Sequence, residues 1–134
     1  MERYGRIVQT MWLVASWVVA LGHFAVIVAV IVGGPLAVRR PELLRIHAAV
    51  AIAVGSVFAV GADCPFTTWQ KYCLRSAHRV PYEGGFIEHY LVRPVTGRDL
   101  TTVDEMTIAA IWLVPTVVAY SLIGRRRRLA RRRP

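Results

Sequence analysis

Residues 8–38 read VQTMWLVASWVVALGHFAVIVAVIVGGPLAV and carry no Asp, Glu, Lys or Arg. A helix that crosses a bilayer takes about 20 apolar residues, and this run exceeds that length. Two more runs qualify. One is Ile46–Ala62, extended backwards by Leu43–Arg45, and the other is Met106–Gly124. Helices of a soluble bundle would show polar faces, and these runs have none. The expected fold class is therefore an all-α membrane protein. Three transmembrane helices are expected at residues 7–32, 41–62 and 103–123, within a single helical domain of residues 1–124. The first run is too long for the apolar core of a signal peptide and no small-residue cleavage site follows it, so it reads as a retained helix.

Local signals set the expected boundaries. Gly33-Gly34-Pro35 reads as the stop of the first helix, because glycine loosens the backbone and proline removes a donor. Pro41 suits the first turn of a new helix, with Glu42 favourable beside it. The first two helices then form an antiparallel hairpin, and the small residues of the second allow close helix approach. Thr101, Thr102, Asp104 and Glu105 read as a capping box opening the third helix. Pro115 lies inside that helix and predicts a kink near residues 111–115.

The 134 residues have a net charge of +9, but seven of the 17 basic residues stand in the last ten positions, RRRRLARRRP. Without those seven the net charge is +2. A basic tail directly after an apolar run sets topology and meets anionic lipid head groups. It holds no aromatic residue to stack on a base, so nucleic acid is not an expected partner. The expected location is a cell membrane, crossed several times, with tail 125–134 cytoplasmic and loop 63–105 outside. The loop's five basic and six acidic residues give it little preference of its own.

The loop, DCPFTTWQKYCLRSAHRVPYEGGFIEHY over Asp63–Tyr90, holds both cysteines and two of the four histidines. Helical periodicity over Phe66–Ala77 puts Trp69, Tyr72 and Cys73 on one side and Gln70, Lys71 and Arg75 elsewhere. That predicts an amphipathic helix at the interface or over the bundle mouth. An aromatic cluster of Trp69, Tyr72, Phe86 and Tyr90 is expected to hold it. One or two further helical turns are expected over 86–92, with 94–98 irregular.

His23 and His47 are the candidate ligand-binding residues. An ionisable side chain within an apolar helix reads as functional, or as an interhelical hydrogen bond. Counted from the shared turn, the two differ in depth by about 7 Å. They are placed to flank a haem, whose iron takes axial histidine, or a quinone head group. His23 is expected to face the second or third helix, with Ser56 and Thr116 as candidate partners. A Cys64–Cys73 disulfide requires Cys64 to fold back ahead of the helix, since nine helical residues span about 13 Å and a bridge needs under about 7 Å. The alternative is two free thiols. Cys64, Cys73, His78 and His89 match no short zinc spacing, so no metal site is expected. Asp63, Glu83 and Glu88 read as ion-pair partners of Arg75, Arg79 and Arg93. No nucleophile stands in a recognisable catalytic setting.

CPFTTWQKYCLR followed by YEGGFIEHYL resembles the signature of a bacterial membrane-protein family, domain of unknown function 2784. Its members read approximately C-P-L-T, an acidic residue with L-R, then Y-x-G-x-F-I and Y. The resemblance singles out Cys64, Pro65, Thr67, Arg75, Tyr82, Gly84, Phe86 and Tyr90 as a loop motif. Phe66 replaces the usual leucine and Gln70 the usual glutamate. The family implies a bacterial inner membrane and no known activity. Two functions are expected: an accessory or scaffold subunit associated with other membrane subunits, or a carrier or redox protein holding a lipid, quinone or haem between the first two helices.

Overall fold

The computed structural model describes Glu2–Arg131, and among these residues every regular element is helical. In chain order they are α1 (Glu2–Arg39), a 3₁₀ turn (Pro41–Leu43), α2 (Leu44–Ala59), α3 (Pro65–Ser76), a π turn (Glu88–Val92), α4 (Arg93–Thr96) and α5 (Thr102–Ala130). Three stretches are long and apolar enough to cross a membrane: Arg3–Arg39, Pro41–Ala59 and Thr102–Ala130. The helices sort into two compact units. The first contains Met1–Ala25 and Val57–Leu100, the second Val26–Ser56 and Thr101–Pro134.

α1 does not stop at Gly33-Gly34-Pro35, as the sequence suggested, but continues to Arg39 with Pro35 inside it. A proline in a helix removes one backbone bond, and packing at these glycines offsets the loss. A Cβ on Gly33 would run into the imidazole of His47, whose Cγ would lie 3.2 Å away. One on Gly34 would lie 3.2 Å from the Thr116 backbone. The glycines are contact surface for α2 and α5, not a terminator. The actual stop is Pro41. It disfavours helical geometry at Arg40, whose backbone leaves the helix at φ −127° and ψ 85°.

α2 ends earlier than expected, on a glycine cap. Gly61 takes φ +62°, Gly61 N–H donates to Phe58 O and Ala62 N–H to Val57 O, both at 3.2 Å. This paired pattern satisfies the last carbonyls of a helix. α5 opens on the expected capping box, with Thr101 N–H donating to Asp104 Oδ2 at 2.9 Å and Asp104 N–H returning to Thr101 Oγ1. It remains helical on both sides of Pro115 and runs into the arginine cluster as far as Ala130. Arginine is a good helix former and suits the negative C-terminal end. The rest of the basic tail lies outside the described residues.

In the first unit α3 lies antiparallel along the first part of α1. Gln9 Nε2 donates to Ala77 O at 3.0 Å. The Trp12 and Tyr72 rings meet edge-on, 5.7 Å between centroids. Gly22 faces Phe66. The buried face of α3 is Thr67, Gln70 and Cys73, while Trp69 and Tyr72 are 59% and 53% exposed. Cys73 is thus on the buried face with Gln70 and apart from Trp69 and Tyr72, which splits the expected grouping and breaks up the expected aromatic cluster. Only Phe86 and Tyr90 of the four meet, at 4.7 Å. Residues expected to be irregular after 92 are helical to Thr96. Pro94 is accommodated because the preceding π turn, with Arg93 N–H donating to Glu88 O, has already left the α-helical bonding register.

The close approach at Gly33 is directly testable. Gly33→Ala should destabilise the folded protein in detergent by about 1–3 kcal/mol, the usual cost of overpacking. Gly124→Ala, with open space around it, should be neutral or slightly stabilising because alanine favours helix. Thermal unfolding of both variants checks this, and equal losses would contradict the packing described.

Candidate functional site

The polar network of the first unit centres on Gln70, which is 2% exposed. Tyr82 O–H donates to Gln70 Oε1 at 2.9 Å, and Gln70 Nε2 donates to Tyr90 Oη at 2.8 Å. One amide thus joins α3 to both tyrosines of the loop motif. Tyr82 also stacks on His89, 4.3 Å between centroids and 13° between planes. Burial, reinforced by the neighbouring Tyr90 and Cys64, pushes the Tyr82 phenol up to about 12. It therefore remains a neutral hydroxyl donor through the physiological range. Burial also lowers His89, with the positive charge of Arg93 adding to the effect.

Around this network the loop is clamped by polar contacts. Lys71 Nζ lies 5.2 Å from the Tyr82 ring centre and donates to Gly84 O at 2.8 Å. Gly84 takes φ +73°, and a Cβ there would meet the Glu88 carboxylate. The positive φ favours glycine at this motif position. Glu88 pairs with Arg93 at 3.1 Å, and Arg93 with Asp99 at 2.9 Å. Of the ion pairs expected from the sequence, this is the one formed among the described residues. Arg75, another motif residue, is exposed on α3.

His23 belongs to the same unit. It is 7% exposed, and its partners are not Ser56 and Thr116. Those hydroxyls donate to Ile52 O and Trp112 O within their own helices. The His23 imidazole packs instead against Phe66, at 5.4 Å, and Phe86, at 4.2 Å. Its Nε2 lies 3.5 Å from Cys64 Sγ, and its Nδ1 is buried without a hydrogen-bond partner. Cys64 is half-buried and Cys73 is 1% exposed; both are free thiols. Cys64 does not fold back toward Cys73: it is the N-cap residue of α3, with Cys73 further along the same helix. Burial pushes the Cys73 thiol up.

His47 sits in the second unit. Its Nε2 lies 3.0 Å from Val30 O and its Nδ1 2.8 Å from Tyr120 Oη. A carbonyl only accepts, so Nε2 carries the proton and Nδ1 accepts from the tyrosine hydroxyl. Both ring nitrogens are engaged, which leaves none for haem iron. Each candidate histidine is thus used within its own unit.

Sequence reasoning missed Gln70, Tyr82–His89 stacking and the Cys64–His23 pair. The family resemblance marked Cys64, Thr67, Tyr82, Phe86 and Tyr90, but no local signal said that they converge on an α1 histidine and on the Gln70 amide.

The fold is that of an all-α protein with three helices long and apolar enough to cross a membrane. The family model described as Protein of Unknown function (DUF2784) matches residues 12–121, and the chain belongs to that family. No curated protein and no solved structure matches it.

The network explains how glutamine stands where the motif usually has glutamate. A carboxylate would accept from Tyr82 unchanged and from Tyr90 after rotation of one hydroxyl. Gln70→Glu is expected to retain the folded state. Gln70→Leu strands two half-buried phenol hydroxyls and should cost about 1–3 kcal/mol. Chemical or thermal unfolding in detergent distinguishes them, and equal destabilisation would contradict the central role given to Gln70.

Proposed function

We propose that the protein is a small accessory subunit of a membrane assembly, and that α1 is its docking helix. The observation that carries this reading is the apolar length of α1. Uncharged Val8–Val38 makes about 46 Å of helix at about 1.5 Å per residue, against a hydrocarbon core of about 30 Å. Fitting it within that core would take a tilt near 50°, beyond the usual range of about 0–40°. Yet the exposed apolar face continues through Ile7, Met11, Val14, Val18 and Leu21. α3 covers another face of this segment, so acyl chains or α3 alone do not account for the cover it requires. A protein partner does. The alternative carrier reading, with haem between the first two helices, loses support because His47 has both nitrogens engaged.

A photo-crosslinking residue at Met11 or Val14 in intact membranes is expected to capture a protein, either a second subunit or another copy. Capture of lipid alone at both positions, with a purified monomer carrying stoichiometric quinone or lipid, overturns the subunit reading.

The proposed orientation places the arginine cluster in the cytoplasm against anionic head groups and the Cys64 loop outside, on the positive-inside rule. Cysteines introduced at Val80 and at Leu129 test it in intact cells with an impermeant thiol reagent, native cysteines replaced. Labelling at Val80 alone is expected; labelling at Leu129 alone reverses the orientation.

A further inference from the structure

We propose that Cys64 is a thiol-modification site, set up by His23 to exchange with a small disulfide and hold half of it as a mixed disulfide. Three features of the geometry converge on this sulfur. First, His23 Nε2 lies 3.5 Å from it. Second, the buried Nδ1 of the same ring has no partner. A proton placed there would be a stranded donor, costing about 1–3 kcal/mol. A bare lone pair at Nδ1 is unpaired as well, but a thiolate at Cys64 can accept only from a protonated Nε2, so the tautomer that meets the charged sulfur carries its proton there, and Phe66 and Phe86 pack against the ring. Third, Cys64 is the N-cap of the twelve-residue helix α3, makes no side-chain cap bond, and is followed by Pro65 at the first turn. The first N–H groups of a helix and its dipole favour negative charge at that point. A helix N-terminus is a setting that activates a cysteine, and a hydrogen bond donated to the charged sulfur favours it over the thiol.

In the exchange, the Cys64 proton goes to water and its sulfur attacks one sulfur of the small disulfide. A new Sγ–S bond forms, the old S–S bond breaks, and the departing thiolate takes a proton from water. One disulfide is consumed and one is made, so no further oxidant enters. The product is stable against internal resolution. Cys73 is the other cysteine, 1% exposed, and nine residues along the helix axis correspond to about 13 Å, beyond the reach of about 7 Å for a bridge. The neighbouring Asp63 is exposed and Tyr82 is a neutral phenol, so neither puts a buried negative charge against the sulfur. Small disulfides persist outside the reducing cytosol, on the side where the proposed orientation puts this loop. The chemistry itself does not depend on that orientation.

The test uses the full-length protein in detergent at neutral pH. Iodoacetamide measures the rate at Cys64, and glutathione disulfide followed by mass spectrometry measures the product. Native Cys64 is expected to react about tenfold faster than the same cysteine in the denatured chain, the range of activation that such settings give. One glutathione should be found at Cys64 and none at Cys73. His23→Leu should remove most of the acceleration, and His23→Gln, which keeps an N–H donor, should retain part of it. Native Cys64 reacting no faster than the denatured chain overturns the proposal, even if the variants do not fold. So does a folded His23→Leu protein that reacts at the wild-type rate, or modification that falls on Cys73.

Discussion

A polar atom removed from water must find a partner or cost the fold the free energy of its desolvation. In a chain whose helices are almost wholly apolar, few side chains can meet that demand, and those few decide which surfaces join. Gln70 ties α3 to Tyr82 and Tyr90. His47 ties α2 to the α1 backbone at Val30 and to Tyr120 of α5. Hydrophobic burial supplies most of the driving force, but it is non-directional. The amide and the imidazole fix register because each needs a donor on one side and an acceptor on the other.

Small residues make these bonds reachable. His47 meets the Val30 carbonyl because Gly33 leaves room for its ring, and Thr116 closes on Gly34. A side chain at either glycine would push the partner helix away and separate the imidazole from its acceptor. Pro35 sits just beyond and removes one helical bond. The same three residues that look like a terminator in isolation thus serve a contact among α1, α2 and α5. Within lipid this exchange favours helix continuity, because a broken backbone would leave groups that hydrocarbon cannot satisfy.

What was legible in the sequence was what depends on near neighbours or on sheer apolar length. The three bilayer-length helices follow from composition, and the Thr101–Asp104 box from residues three apart. What was not legible depends on partners far along the chain. Trp69 and Tyr72 look like the inward face of α3 by hydrophobicity, and Gln70 like the outward one. The order reverses because tyrosine hydroxyls twelve and twenty residues later give the amide two bonds. His23 likewise lies in an apolar helix, but its contacts are Cys64, Phe66 and Phe86 from the loop. Periodicity carries no information on such pairings. The motif did mark the residues that converge, without saying on what.

The two histidines show how the same residue type takes different roles through its neighbours. His47 has an acceptor for its proton and a donor for its lone pair, so it is saturated and serves as a joint. His23 has one nitrogen facing a sulfur and the other facing nothing polar. Sulfur is a weak acceptor as a thiol and a strong one as a thiolate. The His23 contact therefore gains most when Cys64 carries charge, which is the state in which the thiol reacts. A residue needed only for packing between Phe66 and Phe86 would be better served by a third aromatic ring or a leucine. The imidazole, with its uncompensated nitrogen, is a cost to stability at this position, and the feature it adds over an apolar side chain is a polar nitrogen facing Cys64.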